Sequence, residues 1–271
     1  MTTLIRTEWL KMKKYNAFWW IMGITALSYP GINYIFYMFY DSLINNKGTA
    51  GKLAKVYMGN PFSFPEVWHT VAYFSSIFVF IPAVVVIMFI TNEYSFKTHR
   101  QNIVDGWSRS QFISSKLIDV LITSFIITVL FFAVSLIAGL LNESGSDTNR
   151  WGLFYYTGLF ALQTFAQLSI AFLVGFLVKK AFIALGVFLF YYIIFEPIIV
   201  GLLRVKANDE GRFMPLEISD RIIPRPAFIG RLDLDDYKKS LAAIQPHLLY
   251  TIILTAVIWL ICYRMHNRRD L

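Results

Sequence analysis

The chain is poor in the residues from which soluble catalytic sites are built. Its single cysteine, Cys262, excludes an internal disulfide and reads as an inert small hydrophobe near the end of an apolar run. The four histidines, His69, His99, His247 and His266, are isolated from one another, so no zinc-ligand spacing exists. There is no G-x-x-x-x-G-K-[ST] loop: Gly48-Thr49-Ala50-Gly51-Lys52-Leu53 lacks both the spacing and the final hydroxyl. No Ser/His/Asp or nucleophilic Cys arrangement falls at matched depth, although separate segments can assemble one in three dimensions. Charged residues make up only 15% of the chain, and the net +8 is spread over loop ends. That pattern suits membrane anchoring rather than nucleic-acid binding. Driven work would need energy from another subunit or an ion gradient.

Long apolar runs are what the chain has in excess, with 56% of its residues hydrophobic and 17% aromatic. They cover 17–40, 71–91, 117–141, 153–178, 181–203 and 241–263. A hydrocarbon core about 30 Å thick needs ~20 apolar residues in a helix. The first five runs meet that length, and the sixth does so only with its 241–247 lead-in, which contains Pro246. The expected fold is therefore all-α and polytopic: six transmembrane helices in one membrane domain, 1–271. The basic start (Arg6, Lys11, Lys13, Lys14) resembles a signal, but the run after it has 24 residues against about 7–15 for a cleaved signal. It reads as a retained first span.

Charge sets the expected orientation. Segments 1–16, 92–116, 179–180 and 264–271 carry 13 Lys and Arg, against 12 in the longer 41–70, 142–152 and 204–247. Lys179–Lys180 and the Arg264, Arg268, Arg269 tail are the clearest votes, because bases close to span ends stay in the cytoplasm. Both termini are thus expected inside.

Three segments are more than connectors. Residues 2–16 read as an amphipathic helix, with Ile5, Trp9, Met12 and Asn16 on one face and Arg6, Lys13 and Lys14 on others. The 92–116 loop has no helix breaker from Glu93 to Asp105, and a helix there would align Tyr94, Lys97, Gln101 and Val104. Gly106 permits a turn, and Ser108-x-x-Gln111 matches a capping box. Its density of basic, aromatic and turn residues suits protein docking. The 204–247 segment, with Pro215, Pro224, Pro226 and Pro246, is expected outside. Its Ile222, Ile223, Phe228, Ile229 and Leu232 suit a re-entrant or capping element, a solvated loop being the alternative.

Two ionisable residues lie within spans, which makes each a functional candidate by default. Asp119 can pair with Lys116 at i, i+3. Glu196, followed by Pro197 where the helix is expected to break, is either a cavity residue or a satisfied structural carboxyl.

These features together resemble the permease subunits of type-2 ABC exporters. The most specific similarity is Glu93-Tyr94-(x)3-Thr98-(x)7-Gly106-(x)2-Arg109-(x)2-Phe112-(x)3-Lys116, which looks like the family's Glu…Gly-Thr…Ser-Arg…Phe…Lys pattern. Lys97 stands where many members carry Gly. The Phe- and Tyr-rich spans are similar to those of Bacteroidetes-type bacteria. The resemblance implies an elbow helix over 2–16, a cytoplasmic coupling helix within 92–116 and a large external segment. It implies a bacterial inner-membrane location and pairing with a second permease, a copy or a related subunit. It also implies a separate cytosolic ABC ATPase that holds the ATP and Mg, so this chain is not itself an enzyme. Glu93, Tyr94, Lys97, Thr98, Arg100, Gln101, Gly106 and Arg109 would then face the ATPase. An ion-coupled transporter using Glu196, an intramembrane enzyme and a non-transporting anchor are the competing readings.

Overall fold

The computed structural model describes residues 2–45, 48, 59–143, 149–206, 208–231 and 233–268. Leu232, Arg269 and residues 49–53 of the glycine-containing stretch lie outside them. Among the described residues every regular element is helical. In chain order these are α1 (Thr2–Lys14), α2 (Asn16–Ile44), α3 (Val67–Ser76), α4 (Phe80–Ser95), α5 (Thr98–Val104), α6 (Arg109–Leu141) and α7 (Tyr155–Val178). There follow α8 (Ala181–Phe190), a π-helical turn (Tyr191–Phe195) and α9 (Glu196–Lys206). A 3-10 turn (Glu210–Phe213), α10 (Pro215–Asp220), α11 (Ala227–Gly230) and α12 (Leu234–Arg268) complete the order.

The expected count of six spans is corrected. Among the described residues four stretches are long and apolar enough to cross a membrane: Arg109–Leu141, Tyr155–Val178, Ala181–Lys206 and Leu234–Arg268. The count is five if the bent pair α3 and α4 forms one span. Run 17–40 lies on α2, which at 29 residues is long enough but not apolar enough. Trp19, Trp20, Ser28, Tyr29, Asn33, Tyr34 and Tyr37 dilute it, and Tyr and Trp favour the interface over the hydrocarbon. Run 71–91 is broken by a 50° bend. Pro82 cannot donate to the carbonyl of Phe78, and the Ser76 hydroxyl bonds back to the Tyr73 carbonyl at 2.7 Å.

Two prolines act differently from expectation. Pro246 leaves α12 continuous over 35 residues. Ahead of Pro197 the chain forms the π turn, which absorbs the missing donor without ending the 26-residue Ala181–Lys206 stretch.

The N-terminal helix is not a detached elbow presenting Ile5 and Trp9 to its apolar side. Those two are 47% and 37% exposed, whereas Glu8 and Met12 are buried against the bundle. Nor does 93–105 form one uninterrupted helix toward a partner. Lys97 takes φ 57°, ending one helix and starting α5. An L-residue pays about 1 kcal/mol for that conformation, which Gly adopts freely. Gly106, at φ 97°, makes the next turn, and the Ser108–Gln111 capping box then forms in full. The 204–247 segment forms no re-entrant hairpin among its described residues. Its short helices lie on the bundle, burying Leu216, Ile222, Ile223 and Phe228, with α10 against α7 and α12.

Helix α7 is central, with 61% of its most apolar window buried against 17% for Ala181–Lys206. Gly175 lets α4 approach it. A Cβ there would lie 2.6 Å from the Ile90 methyl and 3.4 Å from the Ile87 Cα. Gly175→Val is expected to lower the thermal midpoint in detergent, overpacking costing about 1–3 kcal/mol. An unchanged midpoint would show that α4 can retreat freely.

Candidate functional site

One end of the bundle gathers α1, the 92–116 segment, Lys179 and the end of α12. Its organising group is Lys116, two turns into α6 and 2% exposed. The Lys116 Nζ lies 2.7 Å from Glu8 Oε2, 2.9 Å from Glu93 Oε1 and 3.1 Å from Asp119 Oδ2. Lys11, on α1, reaches Glu8 and Glu93 at 3.1 Å each. Three carboxylates from three helices thus converge on one fully enclosed ammonium, with a second lysine at the rim. Burial disfavours the charge of Glu8, but Lys116 and then Lys11 hold its carboxyl below the ordinary range. A carboxyl lowered in this way stabilises the docked α1 at neutral pH, and loses that contribution as pH falls through the lowered value. A half-open cavity of about 150 Å³ adjoins the cluster, bounded by Met12, Tyr15, Phe89 and Phe96.

Glu93 also sets the local backbone. Its carboxylate accepts the Thr98 hydroxyl, and its carbonyl accepts from His99 Nδ1 at 2.9 Å. Start and end of the Lys97 turn are thereby tied to the same residue. Tyr94 turns inward to His99 and Phe176, with Lys179 4.9 Å above its ring. Arg109 donates to the Asn267 carbonyl at 2.9 Å, joining the start of α6 to the end of α12.

The eight residues expected to face a partner therefore divide. Lys97, Arg100, Gln101 and Gly106 are exposed, alongside Phe96 and Val104, which are 74% and 83% exposed. Spacing places Arg100, Gln101 and Val104 on one face of α5, with Lys97 at its start. Glu93, Tyr94, Thr98 and Arg109 instead hold that helix in position. Sequence reasoning found the Lys116–Asp119 pair but missed Glu8, which lies 108 residues from Lys116. The available signal was that Glu8 is the sole acidic residue before Asp41.

The opposite end is polar for different reasons. Glu196 is buried, and its Oε1 accepts from the backbone amides of Leu216 and Glu217, each at 2.7 Å. It caps α10 from another helix, at an end where Pro215 supplies no donor. His69 donates to the Pro224 carbonyl at 2.8 Å and stacks on Tyr156. Asp220, at the end of α10, accepts from Gln163 and Gln167 of α7 at 2.7 Å each. Glu196 and Asp119 lie in separate clusters. Among the described residues no group of three or more His, Cys, Asp or Glu is arranged to hold a metal ion.

A family model described as "ABC-2 family transporter protein" matches residues 4–195, which include α1 through the π turn. No curated protein matches the chain. The matched region contains the whole Lys116 cluster, the Arg109–Leu141 and Tyr155–Val178 helices and more than half of the Ala181–Lys206 stretch, so this multi-pass, permease-type membrane protein belongs to the ABC-2 transporter family.

Proposed function

We propose that the chain is the membrane-spanning permease subunit of an ATP-driven exporter in a bacterial inner membrane. Two permeases, identical or related, form the path between them and open it alternately to either side. Separate cytosolic ATPases bind the ATP and Mg and dock on the exposed face of α5. The end carrying α1, α5 and the close of α12 is cytoplasmic, in keeping with its Lys and Arg density. Both chain ends then lie on that side.

The observation that carries this reading is the contrast within a few residues of chain. Lys97, Arg100, Gln101 and Val104 face outward, while Glu93 and Thr98 anchor their helix to Lys116. A surface that is pushed transmits force only if its mount resists, and buried ion pairs separate reluctantly. Movement of α5 would pass through Glu93 to α4 and through Lys116 to α6 and α1.

Arg100→Glu is expected to weaken co-purification with the ATPase and its stimulation, with membrane insertion intact. Charge reversal at a docking surface turns attraction into repulsion and can cost several kcal/mol. Unchanged association and ATPase rate would reduce the segment to a connector.

A further inference from the structure

Asp220 belongs to no ion pair among the described residues, and the arginines that follow it in the chain, Arg221 and Arg225, have other partners. Arg221 is engaged by Glu217 at 2.7 Å and by Asp209 at 2.7 Å. Arg225 bonds the Tyr73 hydroxyl. The charges that act most on Asp220 are the carboxylates Glu217 and Glu196, which disfavour its ionisation. What holds it is a pair of neutral amides, Gln163 and Gln167, which are 1% and 0% exposed. Farther inward the Tyr192 hydroxyl shares its one proton between Gln167 Oε1 at 3.3 Å and the Ser76 carbonyl at 3.4 Å. Ser76 is the last residue of α3 before the 50° bend.

Depth makes this arrangement unusual. Gln167 lies twelve residues beyond the first residue of α7, about 18 Å along the helix at 1.5 Å per residue. Asp220, on the short α10, is thus held against the flank of a membrane-crossing helix, where a positive partner is favoured. The partner is not supplied by the described residues, yet the site is prepared for one. Asp220 is exposed on its outer side, and both glutamine hydrogen bonds fall on Oδ1, so Oδ2 has no hydrogen-bond partner among the described residues. Gln163 directs its Nε2 to the carboxylate, and its buried Oε1 has no hydrogen-bond partner. A carboxylate oxygen and an amide oxygen accept but do not donate.

We propose that Asp220 and Gln163 form the recognition point for a positively charged ammonium group on the molecule this permease moves. The ammonium would donate to Asp220 Oδ2 and Gln163 Oε1, supplying both the missing charge and the missing donor. This assignment rests on the transport reading above. The same chemistry can come from an organic amine or from the headgroup of phosphatidylethanolamine.

The test is binding of dansylcadaverine, a fluorescent primary amine, to the full chain in lipid nanodiscs, with neutral dansylamide as the matched control. No ATPase takes part, so failure of the docking surface and failure of this site give separate results. Asp220→Asn, which keeps both glutamine hydrogen bonds, is expected to weaken dansylcadaverine about tenfold and leave dansylamide unaffected. Gln163→Met, with Asp220 still charged, should weaken it several-fold and carries the test if Asp220→Asn alters the elution profile. Discs of phosphatidylglycerol alone, compared with discs containing phosphatidylethanolamine, separate the sources: displacement of the probe by the latter assigns the site to a headgroup. Equal binding by the native chain and both variants, or no preference for the amine over dansylamide, overturns the proposal and leaves Asp220 as a carboxyl that merely holds a proton.

Discussion

Lys116→Met is expected to destabilise the protein by about 3–5 kcal/mol, the range for removing one side of a buried ion pair. The substitution keeps the length of the side chain, so the loss comes from charge. Glu8, Glu93 and Asp119 would be left facing one another, with only the half-exposed Lys11 to balance them. The measurement is the midpoint of SDS-induced unfolding from mixed micelles, together with proteolytic release of α1. Glu8→Gln alone should cost less, because Lys116 keeps Glu93 and Asp119 as partners. In the double variant Glu8→Gln/Lys116→Met, one of the stranded carboxylates is gone, so the combined loss should fall short of the two separate losses added together. A Lys116→Met protein with the native midpoint would show that these ion pairs are formed but contribute nothing.

Glu196 separates two outcomes by two substitutions. Glu196→Leu leaves the amides of Leu216 and Glu217 buried without an acceptor, at about 1–3 kcal/mol for each. Glu196→Gln retains an oxygen in the same place and should keep the thermal midpoint close to native. The loss in the Leu variant should be confined to the end of the bundle that carries α10, which comes away from α7 and takes Asp220 from Gln163 and Gln167. A Gln variant that is as stable as native but has lost all export would assign Glu196 a role in transport beyond capping.

Much of the region around Lys116 was legible from sequence. The capping box at Ser108 and Gln111 is a local motif, since both hydrogen bonds close within three residues. The turn at Gly106 is local for the same reason. The break at Lys97 was signalled only by the Gly that the resembling family carries there, and the absence of a helix breaker argued the other way. What decides the break is tertiary: Glu93 is drawn to Lys116, and its carboxylate and carbonyl then capture Thr98 and His99.

Helix α1 shows the same division. Its periodicity was right for a helix, but of Ile5, Trp9 and Met12, expected on one face, only Met12 packs into the bundle. The helix is turned so that the i, i+4 pair Glu8 and Met12 enters the bundle, because an ammonium buried in α6 needs that carboxylate. Hydrophobic periodicity ranks faces by apolar content and has no means to anticipate a distant charge.

The sequence alone determined that this is an all-α membrane protein, where its apolar runs lie, and which loop is dense in basic, aromatic and turn residues. Each depends on composition or on spacings shorter than a helical turn or two, within reach of local physical chemistry. Tertiary structure decided how many runs are suited to cross a membrane, which face of α1 is buried, and which carboxylates share Lys116. It also decided that Asp220 meets α7 while Glu196 caps the helix before it. Those outcomes depend on which polar group finds a partner once water is excluded, and the partners come from segments far apart in the chain.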